Sequence, residues 1–194
     1  MGFTYKATCL ALRGLFGIGA AWKVKGLENL PEEGGVIVVA NHQSNYDPPI
    51  LGCSLNRQVH FMAKEDLFDG FIKNKYMRSV GAFPVKRGRG DMGAIKTALK
   101  LLKNGEVLGI FPEGTRSKTG KLKRAKLGAV MLALKSEVPI VPVGLKGTKK
   151  PFKEDLMINI GKAFMLDKYY NRKLDKEEMK EVGKEIMAKI AELL

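Results

Sequence analysis

Short apolar runs alternate with helical patterns along most of this 194-residue chain. Runs rich in β-branched residues predict strands, over residues 36–40, 59–63, 82–85, 107–111, 140–145 and 157–160. Apolar residues at helical spacing predict helices, over residues 48–55, 65–79, 91–103 and 125–136, and a last helix that begins with a capping box of Asp175 and Glu178. This alternation predicts a single-domain α/β sandwich, with a central mostly parallel or mixed sheet flanked by helices.

The first 25 residues follow a different pattern, an apolar series with four basic residues and no acidic one. Their longest run without a charge is residues 14–22, whereas a membrane-spanning helix needs about 20 residues. Arg13 also interrupts the series too early for a signal peptide. Lys6 and Arg13 share one helical face, and the rest of the circumference is apolar. We therefore predict a membrane-surface helix in residues 1–25, before a domain of residues 26–194; alternatively, the helix simply packs on that domain.

The net charge of +14 is concentrated in the middle of the chain. Between Lys86 and Lys126 there are twelve basic and three acidic residues, a local charge of +9. A field of one sign attracts anions. Nucleic acid, phospholipid headgroups and phosphate-bearing cofactors all fit this segment, so charge alone leaves the partner open.

The two cysteines and two histidines do not have the spacing of a zinc site or of a disulfide framework. Cys9 and Cys53 are isolated in apolar surroundings, which is typical of buried packing residues. We expect no metal and no cysteine nucleophile.

Polar and aromatic residues, NHQSNYD at 41–47, directly follow the predicted strand at 36–40. An imidazole can take a hydroxyl proton at neutral pH, and a carboxylate on its other nitrogen fixes the tautomer and stabilises the imidazolium. His42 and Asp47 are therefore a candidate general base and its partner, if a turn brings them together. Alternatively, Asp47 caps a helix that begins at the next two prolines, and His42 is bonded only to backbone.

A second polar segment, FPEGTRS at residues 111–117, follows another predicted strand. Gly114 permits a tight turn with exposed N–H groups, and the planar guanidinium of Arg116 suits a phosphate. The segment is a candidate anion-binding loop, although the same residue types form ordinary turns elsewhere.

Two more segments, at residues 83–87 and 138–143, overlap predicted strands and contain cations or prolines. Lys86 and Arg87 place two cations at the end of the strand at 82–85. Pro139 and Pro142 flank the start of the strand at 140–145, which predicts an edge strand or the wall of a groove.

In order and separation, these four segments resemble the motifs of the glycerophospholipid acyltransferase family, in particular bacterial 1-acylglycerol-3-phosphate acyltransferases. Residues 41–47 are similar to the family's NHxSxxD motif, and residues 111–117 to its FPEGTRS motif. Residues 83–87 and 138–143 are similar to its second and fourth motifs. One departure is Lys86, where many relatives have Asp or Asn.

The resemblance implies that a fatty acyl chain is transferred from acyl-CoA or acyl-carrier protein to the sn-2 hydroxyl of lysophosphatidic acid, giving phosphatidic acid without an acyl-enzyme. It makes His42 the general base and Asp47 its partner, with the oxyanion met by N–H groups near Gly114. It assigns the acceptor's phosphate and glycerol to the other motif residues: Arg87, Glu113, Gly114, Thr115 and Arg116. It also implies an anionic membrane surface on the cytoplasmic face, a peripheral or monotopic location, and no cofactor or nucleic acid.

Three alternatives differ in function. In the first, the chain is an acyltransferase whose acceptor is another lysolipid. In the second, the chain is an oxidoreductase whose GRGDMG sequence at 88–93, with Glu113 twenty residues later, binds a dinucleotide. In the third, the chain is a non-enzymatic module that binds nucleic acid or anionic lipid. The last two leave the pairing of His42 with Asp47 unexplained.

Overall fold

The computed structural model describes residues 1–17, 21–86 and 91–194. In these residues one sheet is formed by seven strands, β1 Trp22–Lys25, β2 Val36–Ala40, β3 Val59–Lys64, β4 Ala82–Val85, β5 Val107–Ile110, β6 Ile140–Lys146 and β7 Leu156–Ile160. The strand order is β1-β7-β6-β2-β5-β3-β4. Neighbours are parallel, except that β6 and β7 are antiparallel. The predicted mixed α/β sheet is confirmed.

The helices of the described residues are α1 Phe3–Gly17, α2 Asp47–Ser54, α3 Phe71–Ser79, α4 Met92–Lys103, α5 Leu127–Ser136 and α6 Lys176–Ala191. Side chains of α1 and α2 pack into the core on one face of the sheet. Side chains of α4, α5 and α6 pack into the core on the other face. Across the described ranges, no helix has the length and apolarity needed to cross a bilayer.

Strand β2 lies at the centre of the sheet, and all five of its apolar side chains are buried. Val36 and Val38 point into the core with α1 and α2, whereas Ile37 and Val39 point into the core with α4, α5 and α6. A strand covered on both faces needs apolar residues at every position, which is why this run shows no alternation.

The ends of β2 and β5 create the place for a site. The chain leaves β2 into α2 on one face and leaves β5 towards α5 on the other face. Because β2 and β5 are parallel neighbours, their carboxyl ends meet at one edge of the sheet, and connections to opposite faces open a crevice there. Residues 41–47 and 111–117 follow the ends of β2 and β5 and meet at that crevice.

Two predicted helices differ in extent. The helix predicted in residues 1–25 is described over α1, Phe3–Gly17. Trp22–Lys25 are not helical but form β1, in which half-buried and exposed residues alternate as apolar and basic residues do in the sequence. The predicted helix at 65–79 is a 3₁₀ turn, Glu65–Phe68, followed by α3. The two are separated by Gly70, whose φ of 85° does not belong to a helix.

The prediction that β6 is an edge strand is wrong, because β6 lies between β7 and β2. The carbonyl of Pro142 accepts the Gly161 N–H at 2.9 Å and therefore points towards β7. In a strand the N–H and C=O of one residue point the same way, so the N–H that a proline lacks would also face β7. The pairing of β6 with β7 is interrupted there, between Ile160 and Phe164, which pairs with Ile140. The proline therefore fits a central strand.

Candidate active site

The predicted pair of His42 and Asp47 is present. The Nδ1 atom of His42 lies 2.7 Å from Oδ2 of Asp47, and the Asp47 side chain is completely buried. A carboxylate at this distance favours the tautomer with its proton on Nδ1, in which the other ring nitrogen, Nε2, has a lone pair and can act as a base. The His42 side chain is 13% exposed, so the ring is held but still accessible.

The Asp47 carboxylate also shapes the loop that carries the histidine. Its Oδ2 atom accepts the backbone N–H groups of Gln43 and Ser44, both at 2.7 Å. Helix α2 begins at Asp47 itself, and the donors lie before the helix rather than in its first turn, so Asp47 is not the N-cap that one alternative predicted. The turn required to join the pair is therefore made by the aspartate.

Glu113 fixes the backbone of the histidine. Its Oε1 atom accepts the His42 N–H at 2.8 Å, and its Oε2 atom accepts the Lys123 N–H at 3.1 Å. The N–H of Ser117 donates to the His42 carbonyl at 2.7 Å. Glu113 is only 1% exposed, so its carboxylate is directed into the protein rather than towards the substrate side that the sequence suggested.

Two further residues hold the histidine loop. The Phe111 ring stacks on the His42 ring at 4.2 Å between centroids. The Asn41 side chain donates to the Leu145 carbonyl at 3.0 Å and accepts the Leu145 N–H at 2.7 Å, which ties the end of β2 to β6. Neither role was predicted from the sequence. For Asn41, the only local indication is that it directly precedes His42.

The tip of the FPEGTRS loop is exposed, whereas Pro112 and Ser117 on either side of it are buried. Gly114, Thr115 and Arg116 lie on the surface beside the crevice, and Gly114 adopts a left-handed φ of 69°. The Gly114 N–H donates to the Phe111 carbonyl at 3.0 Å, so that amide is used within the turn. Lys123 Nζ donates to the Arg116 carbonyl at 2.6 Å, which keeps the cationic loop compact.

Arg87, the remaining predicted site residue, lies outside the described residues. Its neighbour Lys86 lines the groove described below, with its backbone N–H donating to Asp91 at 2.9 Å. Asp91 caps α4 by accepting the Ala94 N–H at 3.0 Å.

An apolar groove of about 780 Å³ opens beside His42. Its walls come from helices α1 to α5 and strands β3, β4 and β5, with Leu12, Phe61, Met77 and Ile110 among the lining residues. Polar groups, including His42, Lys86 and Lys126, also line it. An amphipathic molecule can therefore keep its chain in the groove and its polar part near the imidazole.

The cysteines also line the groove. Burial raises the pKa of the Cys53 thiol far above its usual value, so it stays protonated and is a poor nucleophile. Within residues 1–17, 21–86 and 91–194, His, Cys, Asp and Glu side chains form no group that is placed to hold a metal ion.

Residues 21–146 match the family model described as Acyltransferase. The chain belongs to the acyltransferase family. The match contains both segments that meet at the crevice.

Among the similar members of the acyltransferase family is the 1-acyl-sn-glycerol-3-phosphate acyltransferase of Bacillus subtilis (strain 168), 38% identical over 79% of this chain and 78% of that one. The chloroplastic 1-acyl-sn-glycerol-3-phosphate acyltransferase LPAT1 of Arabidopsis thaliana is 40% identical over 66% of this chain, but over only 36% of its own length. The crystal structure of the 1-acyl-sn-glycerophosphate (LPA) acyltransferase PlsC from Thermotoga maritima superimposes with a TM-score of 0.70 at 30% identity, covering 100% of this chain and 83% of that one.

The oxidoreductase alternative does not fit an acyltransferase with this geometry. It required the Glu113 carboxylate to bind a ribose, but both oxygens of that carboxylate accept backbone N–H groups in the interior. Asp91, inside the glycine-rich sequence, acts as a helix cap.

Proposed function

We propose that this chain transfers a fatty acyl group from an acyl thioester to the sn-2 hydroxyl of 1-acyl-glycerol-3-phosphate, giving phosphatidic acid. The observation that carries the proposal is the His42–Asp47 pair, buried on the aspartate side and open to an apolar groove on the other. The named activity of the relatives supports the same reaction.

In the proposed mechanism, Nε2 of His42 takes the proton of the hydroxyl as its oxygen attacks the thioester carbonyl. Asp47 stabilises the imidazolium that forms. The tetrahedral intermediate then expels the thiolate, which receives the proton from His42. The products are the ester and a free thiol, and no acyl-enzyme forms. Since a thioester is already activated, holding both substrates beside one base supplies much of the acceleration.

The charges at the crevice favour a phosphorylated acceptor. Arg116 and Lys123 lie on the loop beside His42, and Lys86 lines the groove from another direction. Arg87 follows directly in sequence. A phosphate near these cations would leave the acyl chain of the acceptor in the groove. Both acyl-CoA and an acyl-carrier protein are acidic donors that the same field would attract.

We also propose that α1 rests on the anionic, cytoplasmic surface of a membrane. Phe3 and Leu10 are 87% and 76% exposed, whereas Tyr5 and Phe16 on the opposite side are buried. Only part of the predicted basic edge is free: Arg13 donates to the Cys53 carbonyl from two nitrogens, at 2.6 and 2.9 Å, which docks α1 on α2. An amphipathic helix with this distribution lies in the interface rather than across it.

A transfer assay tests the proposed reaction. Labelled acyl-CoA and acyl-carrier protein are offered with lysophosphatidate and with other lysolipids, using wild type, His42→Ala and His60→Ala. His60 is the matched control, because it is the chain's other histidine and pairs instead with Glu106 at 3.4 Å. We expect labelled phosphatidic acid from wild type and His60→Ala, and a loss of about 10³-fold in His42→Ala.

Activity retained by His42→Ala would exclude the mechanism, and preference for another lysolipid would exclude the acceptor. Salt-sensitive DNA binding without any transfer would favour the non-enzymatic alternative instead.

A further inference from the structure

Helix α3 presents two large apolar side chains to solvent at its first turn. Phe71 is 81% exposed and Ile72 is 80% exposed. Neither residue lines the groove, so the proposed reaction does not explain them. Single exposed apolar residues are common, but neighbouring ones that extend a larger apolar area mark a contact surface.

The exposed residues of α3 extend the exposed face of α1. The hydroxyl of Thr8 on α1 lies 3.3 Å from that of Tyr76 on α3. Ile72 is one turn before Tyr76 and therefore on the same side of α3. We call the combined area the α1–α3 face, and its large apolar residues are Phe3, Leu10, Leu15, Phe71 and Ile72.

The charge of the two helices selects the kind of partner. Their sequences contain five basic residues, Lys6, Arg13, Lys73, Lys75 and Arg78, and no acidic one. Of the three acidic residues in 65–70, Asp66 is paired with Lys64 and Glu65 lies 3.8 Å from Lys86. The third, Asp69, is exposed, and the five cations outnumber it. Exposed apolar residues among cations fit a bilayer that contains anionic lipids, because the apolar side chains insert into the acyl region and the cations pair with the phosphates.

The α1–α3 face also borders the groove. Thr8, Cys9 and Leu12 of α1 line it from one side, and Tyr76 and Met77 of α3 from the other. A surface that holds both helices would bring the groove to the level of the lipid chains.

We propose that α3 is a second membrane-contacting element, which inserts Phe71 and Ile72 into an anionic bilayer beside α1. The groove then opens between two helices that both touch lipid, so that acyl chains pass from the bilayer towards His42 without crossing water. This last step rests on the proposed function; the membrane contact of α3 does not.

Vesicle sedimentation tests the contact with the full chain. Wild type, the double variant Phe71→Ser/Ile72→Ser and the control Met165→Ser are mixed with phosphatidylcholine vesicles, with and without phosphatidylglycerol. Met165 is 41% exposed next to Leu166, which packs in the core on the α4, α5 and α6 face. We expect the double variant to bind anionic vesicles at least about tenfold more weakly, and Met165→Ser to bind as wild type. Equal binding by the double variant would overturn the proposal.

A second test, quenching of an introduced tryptophan, does not depend on the stability lost in the double variant. Both tryptophan variants are made in a Trp22→Phe background, because Trp22 is the chain's own tryptophan and contacts Phe16 of α1. Phe71→Trp should be quenched by lipids brominated in the upper acyl chain, whereas Met165→Trp should not; the same quenching in both would overturn the insertion. The face could instead join two copies of this chain. Wild type would then be a dimer without lipid, and the double variant would be a monomer that binds vesicles as wild type does. That result would also overturn the proposed membrane contact. Vesicle binding without any acyl transfer by wild type would contradict the proposed function alone.

Discussion

Behind the His42 imidazole, Asp47 and Glu113 are buried and their carboxylates accept backbone N–H groups. In front of it, Thr115 and Arg116 are exposed on a cationic loop, beside an apolar groove. The difference separates two kinds of residue within the same motifs. Changes behind the ring should reduce both stability and turnover, whereas changes in front should alter substrate affinity only.

The largest expected effect is that of Asp47→Ala. The substitution leaves the Nδ1–H of His42 and the N–H groups of Gln43 and Ser44 without their acceptor. We expect turnover to fall about 10³- to 10⁴-fold and the free energy of unfolding to fall by about 1–3 kcal/mol. Transfer assays and urea denaturation measure the two effects. Asp175→Ala, which removes the cap of α6, should lower stability by about 1 kcal/mol and leave turnover unchanged.

Asp47→Asn separates geometry from charge. The amide oxygen can accept the same three N–H groups, but it carries no charge to stabilise the imidazolium. The new NH₂ group takes the place of Oδ1, which is buried and finds no acceptor among the described residues. A loss of stability smaller than that of Asp47→Ala, with turnover still reduced, is therefore the expected result. Full turnover in this variant would show that Asp47 only shapes the loop.

Glu113→Gln should have the next largest effect. One of the two backbone N–H groups that face the carboxylate would then meet an NH₂ group, so the backbone of His42 is displaced. We expect kcat to fall about 10- to 100-fold with a loss of about 1–3 kcal/mol in stability, and the acceptor KM to stay within about threefold. The exposed Glu154→Gln is the control. A rise in acceptor KM alone would restore the substrate-binding role that the sequence suggested.

Local patterns predicted most of the sheet and the His42–Asp47 pair. The apolar run of β2 and the polar residues after it are both visible in one short stretch of sequence. The central position of β6 could not be predicted, because a proline normally indicates an edge strand. Pro142 is tolerated here because the pairing of β6 with β7 is interrupted at Gly161, which lies far along the chain. The role of Glu113 depends on contact with His42, 71 residues away, and no spacing rule reports such a contact. Strand β1 was missed although its alternation of apolar and basic residues indicated it.

Arg116→Ala and Arg87→Ala test the front of the site. Each removes a guanidinium that we propose binds the acceptor's phosphate, so each should raise the acceptor KM about tenfold or more. The unfolding midpoint of Arg116→Ala should not change, since its side chain is exposed. Arg172→Ala, an exposed arginine paired with Glu178 near α6, is the control. An effect on the thioester KM alone would assign these cations to the donor.

The smallest effect is expected for Tyr5→Phe, which tests a buried polar group on the groove side. The Tyr5 hydroxyl donates to the Gly52 carbonyl at 2.9 Å and accepts the Val59 N–H at 3.2 Å, so its loss should cost about 1 kcal/mol. Burial raises the pKa of Tyr5 above its ordinary value of 10.0. The folded state therefore retains a proton that the unfolded chain loses above pH 10, and the stability that Tyr5 contributes is complete below that pH and declines above it. Urea denaturation should show a difference between wild type and Tyr5→Phe that is constant from neutral pH to pH 9 and shrinks above pH 10. A difference that stays constant through this range would mean that the phenol is not held protonated by the packing of α1 on the domain.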